Sequence, residues 1–142
     1  MRREHEQIRI GDVFMMKFGG SGNEQTGWRP GLVFQNNKGN GHSPNIIALP
    51  LTSSIKKMSQ PTHVLIPRTA GLKLDSVVLC ENPERMSKER IGKYITTLSP
   101  EYMEKIAIAS LLATSAIAFV SPDALLAARQ TAISLNATSV VA

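Results

Sequence analysis

The chain is poor in cysteine, in aromatic residues and in long apolar runs, and each shortage removes a class of protein. Cys80 is the only cysteine, so no internal disulfide framework holds the fold together. A lone thiol, and a polar start at Met1–Gln7 with no signal-type apolar run after it, make a reducing cytoplasmic setting the expectation. The longest uncharged apolar stretch, Ile106–Val120, is 15 residues long and includes Ser110, Thr114 and Ser115. A membrane-spanning helix needs about 17–25 mostly apolar residues. This stretch therefore reads as a buried helix, and no membrane association is expected. The histidines are His5, His42 and His63. No pair of them has metal-ligand spacing, so no metal or other cofactor is expected. Gly-Lys-Ser/Thr does not follow the glycines around position 20, which excludes a phosphate-binding P-loop.

What is present fits one domain of 142 residues with a net charge of +5. Residues 1–105 hold fifteen of the sixteen Lys/Arg and ten of the eleven Asp/Glu. The basic excess thus belongs to the first three quarters of the chain. It favours polyanions, through phosphate contacts and counterion release, or an acidic protein partner. It is equally compatible with an ordinary mixed, soluble surface.

Short β-type runs dominate up to residue 98: Asp12–Phe18, Gly31–Gln35, Asn45–Leu51, Thr62–Ile66, Ser76–Cys80 and Tyr94–Leu98. Between them lie turn-rich segments, among them the stretches at 19–27 and 36–44 and the pair Ala70-Gly71. Strands at this spacing predict a small all-β barrel or sandwich. The pattern changes at Ser99-Pro100-Glu101, a helix start with a capping residue, a proline suited to the first turn and an acid facing the dipole. Ser121-Pro122-Asp123 opens a second helical segment, and Asn136–Ala142 reads as a frayed end.

The order of several short motifs resembles the MazF/PemK toxins. They are Gly11-Asp12-Val13, Gly22-Asn23-Glu24-Gln25-Thr26-Gly27-Trp28-Arg29-Pro30, Gln35-Asn36-Asn37, Ser43-Pro44, Pro50-Leu51-Thr52-Ser53, Pro61-Thr62-His63-Val64 and Asp75–Glu81, with Lys88 and Arg90 beyond. The resemblance runs from about Ile8 to about Ala118. It implies an SH3-like small β-barrel (the MazF/PemK/CcdB-like fold), mainly β with a C-terminal helix, in a toxin domain at 1–120. Residues 121–142 form a C-terminal helical extension beyond the usual end of such domains. It also implies a homodimer that holds single-stranded RNA across its interface and cuts it without metal. A cognate antitoxin with an acidic, disordered tail would neutralise it. Two other readings stay open: a non-cleaving homologue that keeps antitoxin binding, and a module of the same fold that acts on a DNA topoisomerase.

RNA can be cut without metal when its own 2′-hydroxyl attacks the adjacent phosphorus. Negative charge then gathers on the non-bridging oxygens, and donors fixed there in advance are usually the largest catalytic contribution. Arg29 is the leading residue for that task, because its planar fork holds two phosphate oxygens and stays charged. Without the motif around it, a surface Arg paired with a carboxylate is the simpler reading. Thr52, where an apolar run ends, offers a hydroxyl that both donates and accepts; the competing role is packing or turn capping. Glu24 is the only carboxylate in the loop before Trp28. It is the candidate base, since catalytic groups work best with a pKa near ambient pH. Trp28 is a candidate stacking surface for a base, or a packing aromatic. Asn23, Gln25, Asn36, Asn37, Ser53, Lys56, Lys57, Glu81, Asn82 and Arg85 complete the expected RNA contacts. Asn82-Pro83-Glu84-Arg85 stands where the family commonly has glutamine and an Ile-Arg-Thr-like run. That departure bears on base selection more than on fold.

Overall fold

A computed structural model describes residues 7–19, 27–54 and 60–137. Seven antiparallel strands form one bent sheet: β1 (Asp12–Phe18), β2 (Gly27–Val33), β3 (Asn45–Thr52), β4 (His63–Ile66), β5 (Ser76–Leu79), β6 (Glu84–Ser87) and β7 (Ile91–Thr97). Their order is β4-β5-β3-β2-β1-β7, with β6 also paired to β3. A short helix, α1 (Asn37–His42), links β2 to β3, and α2 (Pro100–Thr114) and α3 (Pro122–Ala137) close the chain. This is the barrel-like sheet with C-terminal helices that the strand spacing and the resemblance led one to expect.

Alternation along β1 shows how the sequence divides the core. Phe14, Met16 and Phe18 project into one cluster with Ile8, Val33, Ile46, Met86 and Ile91. Val13, on the other face, joins Leu32, Leu49, Leu51, Ile66, Val78 and Leu98 beneath Ile106 and Ala109 of α2. Successive side chains of a strand point to opposite faces, so one strand serves two cores. The gap between the sheet ends is bridged by Thr96 of β7, whose hydroxyl donates to the carbonyl of Ala70 at 3.0 Å. Gly71 makes that approach possible. Its φ is +114°, and a Cβ there would stand 2.5 Å from Thr96 Oγ1.

Five expectations change on inspection. β2 starts at Gly27, four residues earlier than the apolar run at Gly31 indicates, so Trp28 and Arg29 belong to a strand. β6 was hidden by Pro83 and by its two charged residues, but it pairs through Asn45↔Ser87 to Ala48↔Glu84. The turn-like segment after Asn36 contains α1, capped by the Asn36 side chain, which accepts from Gly39 N–H at 2.8 Å. The stretch Ile106–Val120 is not a buried helix. α2 ends at Thr114 with Ser115 at φ 59°, only Ile106 and Ala109 of it are buried, and a 3-10 turn follows at Ala116–Phe119. Asn136 is not frayed: it lies inside α3 and bonds to Asn37. Among the described residues, no helix is long and apolar enough to cross a membrane.

Candidate active site

β2 and β3 pair through Val33↔Ala48, Leu32↔Leu49 and Gly31↔Pro50. Carried two residues further, this antiparallel register sets Arg29 opposite Thr52. Directly opposed residues project to the same face with Cβ atoms about 4.5–5.5 Å apart. The two side chains accordingly line one cleft of about 340 Å³, with Pro30, Leu51, Ser53, Ser54, Leu72, Lys73, Leu74 and Ser76. Residues 23 apart in sequence come to line one cleft because β2 and β3 are paired.

The polar groups of this cleft are arranged for an anion. Arg29 Nε is buried and has no hydrogen-bond partner among the described residues. A buried donor left unmade costs about 1–3 kcal/mol, and more for a charged group; such a donor calls for a ligand. Thr52 Oγ1 accepts from Ser54 N–H at 3.1 Å. One lone pair is thereby used, while the hydroxyl hydrogen stays available to donate into the cleft. Ser53 is exposed at the strand end. Ser76 donates its hydroxyl to the carbonyl of Leu74 at 2.9 Å, which shapes the opposite wall. Asp75, beside this wall, turns its carboxylate to Arg68 N–H at 2.7 Å. The described lining thus carries two cations, Arg29 and Lys73, and no carboxylate. Among the described residues, no group of three or more His, Cys, Asp or Glu could hold a metal ion.

Lys73 is the lining residue that the sequence did not single out. Its only signal was a basic residue in the turn between Gly71 and the Asp75-Ser76 run, which reads equally well as a solvated turn. Gly31 matters for a different reason. A Cβ there would meet Met16 Sδ at 2.5 Å and the Phe18 ring at 3.0 Å. Glycine lets the Met16 and Phe18 side chains of β1 pack close on β2, two residues from Arg29.

The remaining candidates divide. Asn23, Glu24 and Gln25, and Lys56 and Lys57, lie outside the described residues. Trp28 follows strand alternation to the face opposite Arg29. It is 55% exposed and its ring lies against Gly92 of β7, where a Cβ would come within 3.0 Å. A flat aromatic laid on glycine and open on its other side suits base stacking. Asn37 is a different matter, because it is buried and its amide is spent inside the protein. Its oxygen accepts from Ile10 N–H at 2.7 Å and from the Asn40 side chain at 3.1 Å, and its nitrogen donates to the carbonyl of Asn136 at 3.2 Å. It holds α1 to the N-terminal segment and to α3, and is buried away from any base. Asn36 is occupied as the α1 cap. Glu81 Oε2 lies 2.8 Å from His63 Nε2. Asn82 is exposed and ties the turn after β5 through its N–H to the carbonyl of Leu79 at 3.1 Å. Arg85 projects from β6 opposite Ile47, at the far end of β3 from Thr52. Of the expected contacts within the described residues, Arg29, Thr52 and Ser53 share the cleft; Trp28, Asn36, Asn37, Glu81, Asn82 and Arg85 do not line it.

Comparison with known proteins bears on family and fold. The family described as PemK-like, MazF-like toxin of type II toxin-antitoxin system matches residues 9–112. Endoribonuclease EndoA of Bacillus subtilis (strain 168) is 40% identical over 101 residues, which span 70% of this chain and 87% of that protein. A mycobacterial endoribonuclease solved in complex with its cognate antitoxin is 27% identical, with a TM-score of 0.65 over 76% of this chain and 95% of its own. MazF from Deinococcus radiodurans is 23% identical; its TM-score of 0.66, over 76% of this chain and 96% of that one, is a likeness of fold.

Proposed function

The chain belongs to the PemK-like, MazF-like toxins of type II toxin–antitoxin systems, and from that premise we propose that it is the RNA-cleaving member of such a pair, with its reaction centre at Arg29 and Thr52. One observation supports this centre: Arg29, whose buried Nε has no hydrogen-bond partner among the described residues, lines the same cleft as Thr52. The name of the B. subtilis relative supports endoribonuclease activity, and the mycobacterial complex supports an antitoxin partner.

In this reading the substrate's 2′-hydroxyl attacks the neighbouring phosphorus and the 5′-oxygen leaves. Arg29 meets the growing charge on the phosphoryl oxygens with donors already in place. Thr52, its oxygen engaged by Ser54 N–H, donates to the same phosphate or fixes the 2′-hydroxyl. Glu24 is the candidate base that removes the 2′-hydroxyl proton. Ser53 borders the same groove. Asn23, Gln25, Lys56 and Lys57 are proposed to follow the strand on either side, with Trp28, Asn82 and Arg85 as outlying contacts. No step calls for a metal. The products carry 2′,3′-cyclic phosphate and 5′-hydroxyl ends, because the nucleophile belongs to the RNA. The domain spans 1–120 with an extension at 121–142, it acts as a homodimer, and it works in the cytoplasm, where its substrate is.

The experiment is to incubate purified protein with total RNA in excess EDTA and to sequence the new ends. Cuts at one short motif, with 5′-hydroxyl ends, are expected. Complete loss of cleavage in EDTA, restored by one divalent ion, would overturn the mechanism.

A further inference from the structure

The cleft that holds Arg29 and Thr52 carries a second cation on its lining, Lys73. It comes from the segment 71–75 that leads into β5. β5 pairs with β3 through Leu51↔Val78 and Thr52↔Val77, so that segment arrives beside Thr52. Several bonds pin it. The N–H groups of Gly71 and Leu72 both donate to the carbonyl of Arg68, at 2.9 and 3.0 Å. Thr96 holds the carbonyl of Ala70, and the Asp75 carboxylate accepts from Arg68 N–H. The Ser76 hydroxyl donates to the carbonyl of Leu74, and Leu72 is buried in the core. Lys73 thus stands, exposed, on a backbone fixed before any ligand arrives. Among the described residues no hydrogen bond or ion pair engages its side chain.

We propose that Lys73 binds the phosphodiester next to the scissile one, so that the cleft grips two consecutive phosphates of a single RNA strand. The inference rests on the RNA-cleaving reading and adds a substrate-binding residue to it. Arg29 and Lys73 are like charges on one cleft of about 340 Å³, and no carboxylate stands among its described lining residues. Like charges that share a site disfavour each other; a ligand with two negative groups relieves both. Pro30, Leu51, Leu72 and Leu74 supply apolar walls around them, and Leu74 is 58% exposed. A cleft of one charge sign with low-dielectric walls focuses its field on an incoming polyanion.

The two cations differ in what they suit. The planar fork of Arg29 matches two oxygens of a phosphorus whose charge is changing. The Lys73 ammonium is a point charge on a flexible stem with three donors. It suits a phosphate that is held and not altered. Lys73 therefore contributes equally to the bound substrate and to the transition state, which is uniform binding and leaves the rate at saturation unchanged.

The test uses the full chain and a short RNA built on the motif cut in total RNA, with a 2′-deoxy sugar at the cut so that it binds without reacting. Affinity is measured across a series of salt concentrations for the parent and for Lys73→Met. On a single strand, log affinity falls with log salt by about 0.7 for each phosphate neutralised. Lys73→Met should reduce the slope by that amount, which is about fivefold in affinity near 0.1 M salt. Lys73→Arg should keep the slope, and Lys73→Gln serves as a second uncharged variant. In single-turnover cleavage of the reactive RNA, Lys73→Met should need more protein for half its maximal rate and reach the parent's rate at saturation. Neutral methylphosphonate linkages, placed one nucleotide to either side of the cut, locate the phosphate. One of the two should weaken binding to the parent and leave binding to Lys73→Met unchanged. An unaltered salt slope overturns the proposal, as do methylphosphonates that weaken parent and variant equally. A rate lost at saturation with affinity intact overturns it too, because Lys73 would then act on the reacting phosphate. A parent that neither binds nor cuts RNA overturns the RNA-cleaving reading itself. A parent that cuts, with a slope indifferent to Lys73, overturns this inference alone. Lys73 is exposed, so the variants should melt with the parent.

Discussion

Arg29 is a candidate site residue through its motif, and the fold places it in one cleft with Thr52. Residue type alone leaves it indistinguishable from the other surface cations. What the sequence could not show is that Thr52 lines the same cleft, because pairing between distant strands is a tertiary property. Asn37 is the reverse case. Its position in the motif order made it a base contact, yet the folded chain spends its amide on Ile10, Asn40 and Asn136. Asn37→Ala strips the partner from the Ile10 N–H and should cost about 1–3 kcal/mol, read as a lower urea midpoint, with little change in cleavage per folded molecule. Cys80 offers a further check. Burial pushes its thiol up to about 11 from an ordinary value of 9.0. The folded chain therefore holds the proton more tightly than the unfolded one. Its contribution to stability is whole below pH 9.0 and is lost as pH rises through about 11. At pH 8 a thiol reagent should label Cys80 slowly in the native protein and quickly in denaturant; fast native labelling would show that the site is open.

The strands β1, β3, β4 and β5 were legible from alternation and apolar runs, with bounds that differ from the structure by two residues at most. β6 and α1 were not. β6 is a four-residue strand with Glu84 and Arg85, held by pairing to β3 rather than by its own preference. α1 contains two glycines and is held by the Asn36 cap and the Asn37–Asn40–Asn136 amide network. Neither carries a periodic apolar signal. The helix starts at Pro100 and Pro122 were readable from their caps, but the break at Ser115 was not, since no Gly or Pro marks it. At the element level, Gly71→Ala should destabilise by more than about 1 kcal/mol. The backbone there is left-handed, and the new Cβ meets Thr96, the residue that ties β7 to the turn after β4. A thermal melt unchanged from the parent would show that this tie contributes little.

For the whole molecule, composition sets the expectation of one domain and places the basic excess in residues 1–105. The exposed apolar residues Ile108, Leu111 and Leu112 of α2 add a reason to expect a homodimer, and light scattering at micromolar concentration should exceed the 15.4 kDa of one chain. The basic excess of residues 1–105 predicts salt-sensitive association with an acidic antitoxin. An antitoxin peptide and RNA should compete, because both are drawn to the same cations; simultaneous saturable binding would separate their sites. The proposed cleavage depends on a phosphate seated between Arg29 and Thr52. The most direct measurement is single-turnover cleavage of a short RNA by the parent and by Arg29→Ala, with circular dichroism as the folding control. Losing one preorganised donor to a developing oxyanion typically costs about 10²–10³ in rate. Arg29→Ala should lose at least that much, with Arg29→Lys recovering only part, because a point charge does not reproduce a fork. A well-folded Arg29→Ala that cuts as fast as the parent would contradict the assignment.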